Sequence, residues 1–242
     1  MLASIKNVFK IPDLKKKILY TLGILIIYRL GSHIPTPGIN TIALGEFFKN
    51  QQGTLFGMYD LFVGGNLSKA TIFALGIMPY ITSSILMQLL GAIIPYFERL
   101  KKMGADGQKK LTQYTRYGTV IIGSFNALGI TVFLESITTQ GGVSVVPNPG
   151  LGFKLLTILT FVTGTIFIMW LGENITEKGI GNGISLIIFI GIIARYPAGF
   201  IKMFNMTASG VLSIFVTILI LAFMVFTTGA VIVITEALRK IP

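Results

Sequence analysis

Apolar residues run along this chain in long blocks, broken by short polar stretches rich in glycine, proline and lysine. A helix that crosses the hydrocarbon core of a bilayer needs about 20 mostly apolar residues. Six blocks approach that length: 18–31, 71–96, 117–137, 153–171, 183–196 with an extension toward 200, and 211–237. The first and fifth are short, which leaves room for tilt or a partly buried setting. "GSHIPTPG" follows the first block, "PYFERLKK" the second, and "TTQGG" and "PNPG" frame the loop after the third. The pattern predicts an all-α polytopic membrane protein with six transmembrane helices.

Two stretches depart from a regular span. Residues 55–70, "LFGMYDLFVGGNLSKA", hold Asp60, Gly64-Gly65, Asn66 and Lys69 and are too polar to cross. Leu55, Met58, Tyr59 and Phe62 recur at helical spacing, so a short amphipathic helix ending at Gly64-Gly65 is expected. It is either a loop on the outer membrane surface or a re-entrant element, which must be satisfied by protein or a water-filled cavity. The second departure lies inside the second block, "IFALGIMPYITSSILMQLLGAIIP". Pro79 lacks a backbone donor and its ring opposes the carbonyl four residues earlier, which predicts a bend. Thr82, Ser83, Ser84 and Gln88 add a weakly polar stripe. It serves either helix–helix packing, where small and hydroxyl residues are enriched, or a face that meets water or substrate.

Composition supports the membrane reading. The chain is 52% hydrophobic and 12% charged, with a mean hydropathy of +0.78, whereas a soluble domain carries about a quarter charged residues. Cysteine is absent, which excludes disulfides, thiolate metal sites and cysteine nucleophiles. A net charge of +11 would suggest nucleic acid in a soluble protein, but here it first reads as topology. Lys6, Lys10, Lys15, Lys16 and Lys17 precede the first block. Arg99, Lys101, Lys102, Lys109, Lys110 and Arg116 lie between the second and third, Lys178 between the fourth and fifth, and Arg239 and Lys240 after the sixth. With six spans all of these share one side, the cytoplasmic one under the positive-inside rule, and both termini join them. The 98–116 loop also has the charge to dock something anionic, such as ribosomal RNA or lipid headgroups. The first block could belong to a cleavable signal peptide, but Arg29 ends it and "GSH" is a weak cleavage site, so a retained helix is expected.

Candidate chemistry is sparse. "GIGNGIS", 179–185, has alternating glycines and no strand–helix context, so it reads as a tight turn rather than a dinucleotide fingerprint. His33 stands beside Pro35 and Pro37 without a metal-binding partner motif and reads as a loop residue. Glu135, Glu173, Glu177 and Glu236 sit near block ends. None is at mid-span, where coupled carriers place working carboxylates, which weighs against a secondary transporter with a broken-helix substrate site, the main alternative. An intramembrane protease would need a serine–histidine pair or a metal motif in the spans, and neither is evident.

Two segments, "ATIFALGIMPYITSSILMQLL" and "WLGENITEKGIGNGISLIIF", resemble the signature segments of the SecY family, the central subunits of the Sec protein translocase. "YRLGSHIPTPGIN", "FVGGNLSKATIFALGIMPY" and "DGQKKLTQYTRYG" are similar to the bacterial form. The family has ten spans in two inverted halves of five. This chain resembles the first half, 1–209 with a plug at about 55–70, and the sixth helix, 210–242, which begins the second half. The resemblance therefore implies a fragment that does not conduct by itself.

It also implies roles. Ile77, Ile81, Ile184 and Ile188 would contribute to an apolar pore ring, which resists ions by dewetting and widens around many unrelated chains. Tyr59, Asp60, Leu61, Phe62, Val63, Gly64, Gly65, Asn66 and Leu67 match the plug. Thr82, Ser83, Ile85, Met87 and Gln88 lie on the lateral-gate helix, through which hydrophobic segments would leave into lipid. The implied function is a protein-conducting channel for unfolded polypeptides in the bacterial plasma (inner) membrane, with no catalytic residue, metal or cofactor. The implied partners are SecE and SecG subunits, a SecA motor ATPase or a ribosome, secretory and membrane protein precursors, anionic lipids, and the missing C-terminal half of the channel.

Overall fold

The computed structural model describes residues 11–50, 54–139 and 142–236. Among them the chain is helical, with two isolated bridges, Pro35 to Thr71 and Thr138 to Ser144, in place of any sheet. The helices are α1 (Pro12–Gly31), α2 (Thr41–Asn50), α3 (Leu55–Phe62), α4 (Met78–Ile93), α5 (Pro95–Lys102), α6 (Ala105–Ser136), α7 (Leu151–Lys178), α8 (Gly183–Ile193), α9 (Tyr196–Ala208) and α10 (Ile214–Glu236). They fall into two compact units, Met1–Ile192 and Ile193–Pro242.

Where six spans were expected, the described residues hold four stretches long and apolar enough to cross a membrane. These are Ala105–Ser136, Leu151–Lys178, Gly183–Ala208 and Ile214–Glu236, with a fifth if α4 and α5 count as one broken span. The first block does form α1, but Lys15, Lys16 and Lys17 occupy its first turns, so its apolar run is shorter than an ordinary span and a crossing there relies on the lysine stems reaching back to the interface. The second block is not one helix. Residues 63–77 turn irregularly, α4 begins only at Met78, and the chain bends by 100° between α4 and α5. Pro79 was expected to bend a helix; instead it starts one. In the first turn its missing N–H would have had no partner in any case. Pro95 starts α5 in the same way. The third and fourth blocks extend beyond their apolar limits, and the expected 98–116 loop is mostly α5 and the opening turns of α6. Lys6, Lys10, Ala237, Arg239 and Lys240 lie outside the described residues.

In the first unit α4 and α7 both pack on α6, α5 packs on α4 and α6, and α1 packs on α7. Two apolar clusters result. One gathers Leu44, Phe48, Leu67, Leu75, Leu134, Val145 and Phe161; the other gathers Ile24, Tyr28, Phe73, Ile77, Ile168, Leu171, Ile175 and Ile187. Outward faces of α6 and α7 carry exposed Ile121, Phe125, Leu155 and Leu159, as lipid-facing helices do. Segment 34–36 pairs with 70–72 through Thr36 N–H to the Ala70 carbonyl at 2.7 Å and Ile72 N–H to the Ile34 carbonyl at 3.0 Å. In the second unit a turn at Gly210, with φ +75°, joins α9 to α10. There the Thr207 and Thr217 hydroxyls meet at 2.7 Å, and α10 is otherwise exposed nearly all round.

Candidate functional site

The entry to α8 shows how glycine places a side chain. The expected tight turn at 179–182 is present, with Gly181 at φ +65°. The Asn182 side chain caps α8 by accepting the N–H groups of Ile184 and Ser185 at 3.1 and 3.2 Å, the role for which asparagine is favoured. Gly183 donates its N–H to the Thr176 hydroxyl at 2.9 Å and lies so close to the Gly172 carbonyl that a side chain there would collide with it. A Cβ on Gly172 would in turn meet Ile184 Cγ1 at 2.9 Å. Thr21 of α1 accepts the Ile180 N–H at 3.1 Å and fixes the turn from the other side.

This close approach of α7 and α8 directs Ile184 and Ile188 into the second apolar cluster, where Ile187 is fully buried. Ile77, the residue before α4, is buried in the same cluster, and its carbonyl accepts the Ile81 N–H at 3.2 Å, so Ile81 stands one turn above it. Ile81 packs on that cluster too. The four isoleucines singled out from the sequence therefore share one apolar body, supplied by two elements about a hundred residues apart.

Next to it sits the segment around α3. Its helix ends as expected, with Gly64 at φ +73° and Gly65 at φ +81°. The expected apolar face does not cover the protein, however: Leu55, Met58 and Phe62 are exposed, as is Leu61. The buried side is made instead by Asp60, Val63, Gly65, Asn66 and Leu67. Asp60 Oδ1 accepts the Ser68 N–H at 2.8 Å, and the Asp60 carbonyl accepts the Gly65 N–H at 2.7 Å. Val63 lies against Gly76, immediately before Ile77. Asn66 Nδ2 donates to the Val63 carbonyl at 2.7 Å and to the Tyr28 hydroxyl at 3.3 Å. Phe56 stacks on Phe133 with ring centres 4.6 Å apart. The Tyr59 hydroxyl, pushed up to about 12 by burial, stays a donor at ordinary pH and faces the Leu75 carbonyl at 3.5 Å.

The candidate gate residues divide. Thr82, Ile85 and Gln88, three apart on α4, are exposed on one face. Thr82 returns its hydroxyl to the Met78 carbonyl at 3.1 Å. Ser83 points elsewhere: it is buried and donates to the Thr115 carbonyl of α6 at 2.7 Å. Met87 is half-buried.

The basic residues also divide. Arg116 is not a loop residue but belongs to α6, where it grips Glu173 of α7 through two hydrogen bonds. Lys101 lies across Gly91 and donates to the Gln88 carbonyl at 3.1 Å, clamping α5 to the end of α4. Lys102 pairs with Glu98 at 2.6 Å and Lys109 with Asp106 at 3.8 Å. Arg99 and Lys110 complete this exposed, basic end. Sequence reading passed over Tyr28, and it placed Glu173 and Arg116 without their pairing, because each acts on a residue tens of positions away. It likewise placed Glu135 near a block end but not its pairing with Lys154 at 3.1 Å or its acceptance of the Gly150 N–H at 3.3 Å. His33 is an exposed loop residue with its ring nitrogen 2.8 Å from the Arg29 carbonyl.

Comparison with known proteins is consistent over almost the whole chain. The SecY family model matches residues 71–242. Protein translocase subunit SecY of Aquifex aeolicus is 44% identical over 98% of this chain and 56% of its own length. The subunit of the same name from Escherichia coli K12 is 44% identical over 93% of this chain and 50% of its own. The chain thus spans about half the length of the curated relatives it matches. Sec61 in the canine ribosome–channel complex from the endoplasmic reticulum has a similar fold, with a TM-score of 0.63 at 21% identity over 98% of this chain and 54% of that one. A structure of a protein conducting channel gives 0.58 at 21% identity over 86% and 46%.

Proposed function

Because this chain belongs to the SecY family, we propose that it forms one side of a channel that passes unfolded polypeptides across the membrane and releases hydrophobic segments sideways into lipid. The observation that carries this is the shared apolar cluster of Ile77, Ile81, Ile184 and Ile188. Aliphatic side chains from two separate elements form a dry, deformable wall. Such a wall resists ions by dewetting and, having no hydrogen-bonding groups, selects no particular sequence.

In this reading Tyr59–Leu67 is the plug beside that wall, and Thr82, Ile85, Met87 and Gln88 are the gate surface. Ser83 holds the gate helix to α6 from behind. The first 209 residues form one half of the channel, and the helix from 210 onward begins the other. The multi-pass chain sits in the bacterial inner membrane with its N-terminus cytoplasmic, since Lys15–Lys17 and the basic end of α5 and α6 obey the positive-inside rule there. That end faces a SecA motor ATPase or a ribosome, and anionic lipid headgroups at the rim. SecE, SecG and the C-terminal half of the channel complete the assembly around secretory and membrane protein precursors. No side chain here does covalent work; the motor or ribosome drives transport. A secondary transporter gains nothing from the site, whose centre is aliphatic.

The test is replacement of the matching region of the Escherichia coli relative by this chain, in cells depleted of their own copy. The reading predicts that the chimera restores export of a secreted precursor, and that changing both Ile81 and Ile188 to Lys abolishes it. A chimera that assembles normally but exports nothing, or whose export ignores the double change, contradicts the reading.

A further inference from the structure

On α8 the residues Ile184, Ile187, Ile188 and Gly191 follow at helical spacing, so Gly191 continues the ring-forming face by one more turn. A side chain is missing there, and the space is taken by backbone. A Cβ on Gly64 would lie 2.9 Å from Gly191 Cα, and a Cβ on Gly191 would lie 3.3 Å from the Tyr28 hydroxyl oxygen and 3.6 Å from Gly64 Cα. Gly64 needs to be glycine for a second reason, its φ of +73°. The same point is held by Asn66, whose Nδ2 donates to the Tyr28 hydroxyl at 3.3 Å. Tyr28 is itself stacked on Phe73 with ring centres 5.7 Å apart. Asn66 is 1% exposed, yet its Oδ1 has no hydrogen-bond partner among the described residues.

We infer that Gly64 and Gly191 form a seat that makes the position of the plug depend on α8, the helix that carries two of the ring isoleucines. Contact between two backbones is short-ranged, since a gap of about 1 Å already forfeits about half of the dispersion attraction. A shift of α8 that widens the ring therefore also withdraws the surface on which Gly64 rests. Release is further favoured because water can satisfy Asn66 Oδ1, which no described residue pairs in the seated state. A glycine pair and a tyrosine hydroxyl thus couple ring and plug. Gly191 and Tyr28 are positioning residues for the plug. The inference rests on the channel reading for its meaning, while the contacts that carry it are those of this chain.

The test uses the chimera described above with Val63→Cys, a position 3% exposed and packed on Gly76. This chain has no cysteine of its own. The rate of labelling by a membrane-impermeant maleimide added from outside reports whether the plug is seated. Gly191→Leu fills the seat and is expected to speed labelling at least tenfold. Gly191→Ala, whose Cβ meets Gly64 Cα at an ordinary 3.6 Å and needs the Tyr28 hydroxyl, 3.3 Å away, to give only slightly, is expected to change it less than threefold. Labelling at Ala127→Cys, fully buried in the other cluster, checks that the fold survives. Should that site open as well, the decision passes to Tyr28→Phe, which keeps the stacked ring and removes only the hydroxyl; a several-fold rise in Val63→Cys labelling is then expected. Unchanged labelling in Gly191→Leu with Ala127→Cys protected, or unchanged labelling in Tyr28→Phe, overturns the inference. No translocating polypeptide enters the assay, so it can fail while export in the chimera succeeds, or the reverse.

Discussion

The hydroxyl of Ser83 occupies the place that a side chain on Gly118 would need. A Cβ at 118 would collide with Ser83 Oγ, while Ser83 Cβ would remain 3.5 Å away. Oγ uses that space to donate to the Thr115 carbonyl at 2.7 Å, one turn before Gly118. The polar cluster in the second apolar block thus has two uses. Ser83 lets α4 lie close on α6, and Thr82 and Gln88 stay on the free face.

A double-mutant cycle follows. Gly118→Ala alone overpacks the contact and is expected to cost about 1–3 kcal/mol. Ser83→Ala alone loses a buried hydrogen bond at about 1 kcal/mol and leaves the Thr115 carbonyl to its helical partner. Together they should be less harmful than their sum, because two methyl groups 3.5 Å apart are in ordinary contact. Thermal unfolding in detergent measures it, and strict additivity would count against the packing described.

Gly172 and Ile184 give a prediction for the ring. A methyl group at 172 would meet Ile184 Cγ1 at 2.9 Å, so Gly172→Ala must turn Ile184 aside or push α8 away from α7. In a complete channel at rest the expected result is a raised ion leak with little loss of assembled protein. Conductance in planar bilayers checks it, and a leak no larger than that of the parent would separate Ile184 from the seal.

Arg116 and Glu173 join α6 to α7 by a two-pronged contact of 2.6 and 3.1 Å, with the Glu173 side chain 15% exposed and the Arg116 side chain 47%. That places the pair between exposed ion pairs, worth under about 1 kcal/mol, and buried ones, whose disruption costs about 3–5. Glu173→Gln is expected to cost about 1–2 kcal/mol. Arg116→Lys should also destabilise, because an ammonium cannot reproduce the fork. Equal stability of Arg116→Lys and the parent, in thermal unfolding at low salt, would show that only the charge matters.

Much of this was legible from local chemistry and some was not. The end of α3 at Gly64-Gly65 and the turn before α8 follow from glycine and asparagine preferences that act within a few residues. The irregular path of 63–77 was hidden, since "ATIFALGI" is apolar enough to continue a spanning helix. What overrides that tendency is pairing with 34–36, through Thr36 and Ile72, and the ring of Phe73 lying over Gly31. The Arg116–Glu173 pair spans 57 positions, and no periodicity in either helix announces it. Pro79 was read for what proline does inside a helix, whereas the irregular segment before it makes it a helix starter.

The gate surface makes a further claim. Gln88 is exposed on α4 beside Ile85 and Thr82, and an interhelical hydrogen bond in a membrane is worth roughly 0.6 kcal/mol. Gln88→Leu removes the group that could form such a contact across the gate, leaves apolar surface in its place, and is expected to relax the demand for a strongly hydrophobic signal sequence. Export of precursors with graded signal hydrophobicity measures it; an unchanged threshold would remove Gln88 from the gate.

The central claim is that the cluster around Ile77 and Ile184 borders the route of the moving chain. A photoreactive residue placed at Ile81 or Ile188, in a channel holding an arrested precursor, reads this directly. The account predicts cross-links to the precursor from both positions and none from Leu159, which is 70% exposed on the outer face of α7. Cross-links to lipid alone from 81 and 188, or equal precursor cross-linking from 159, would contradict it.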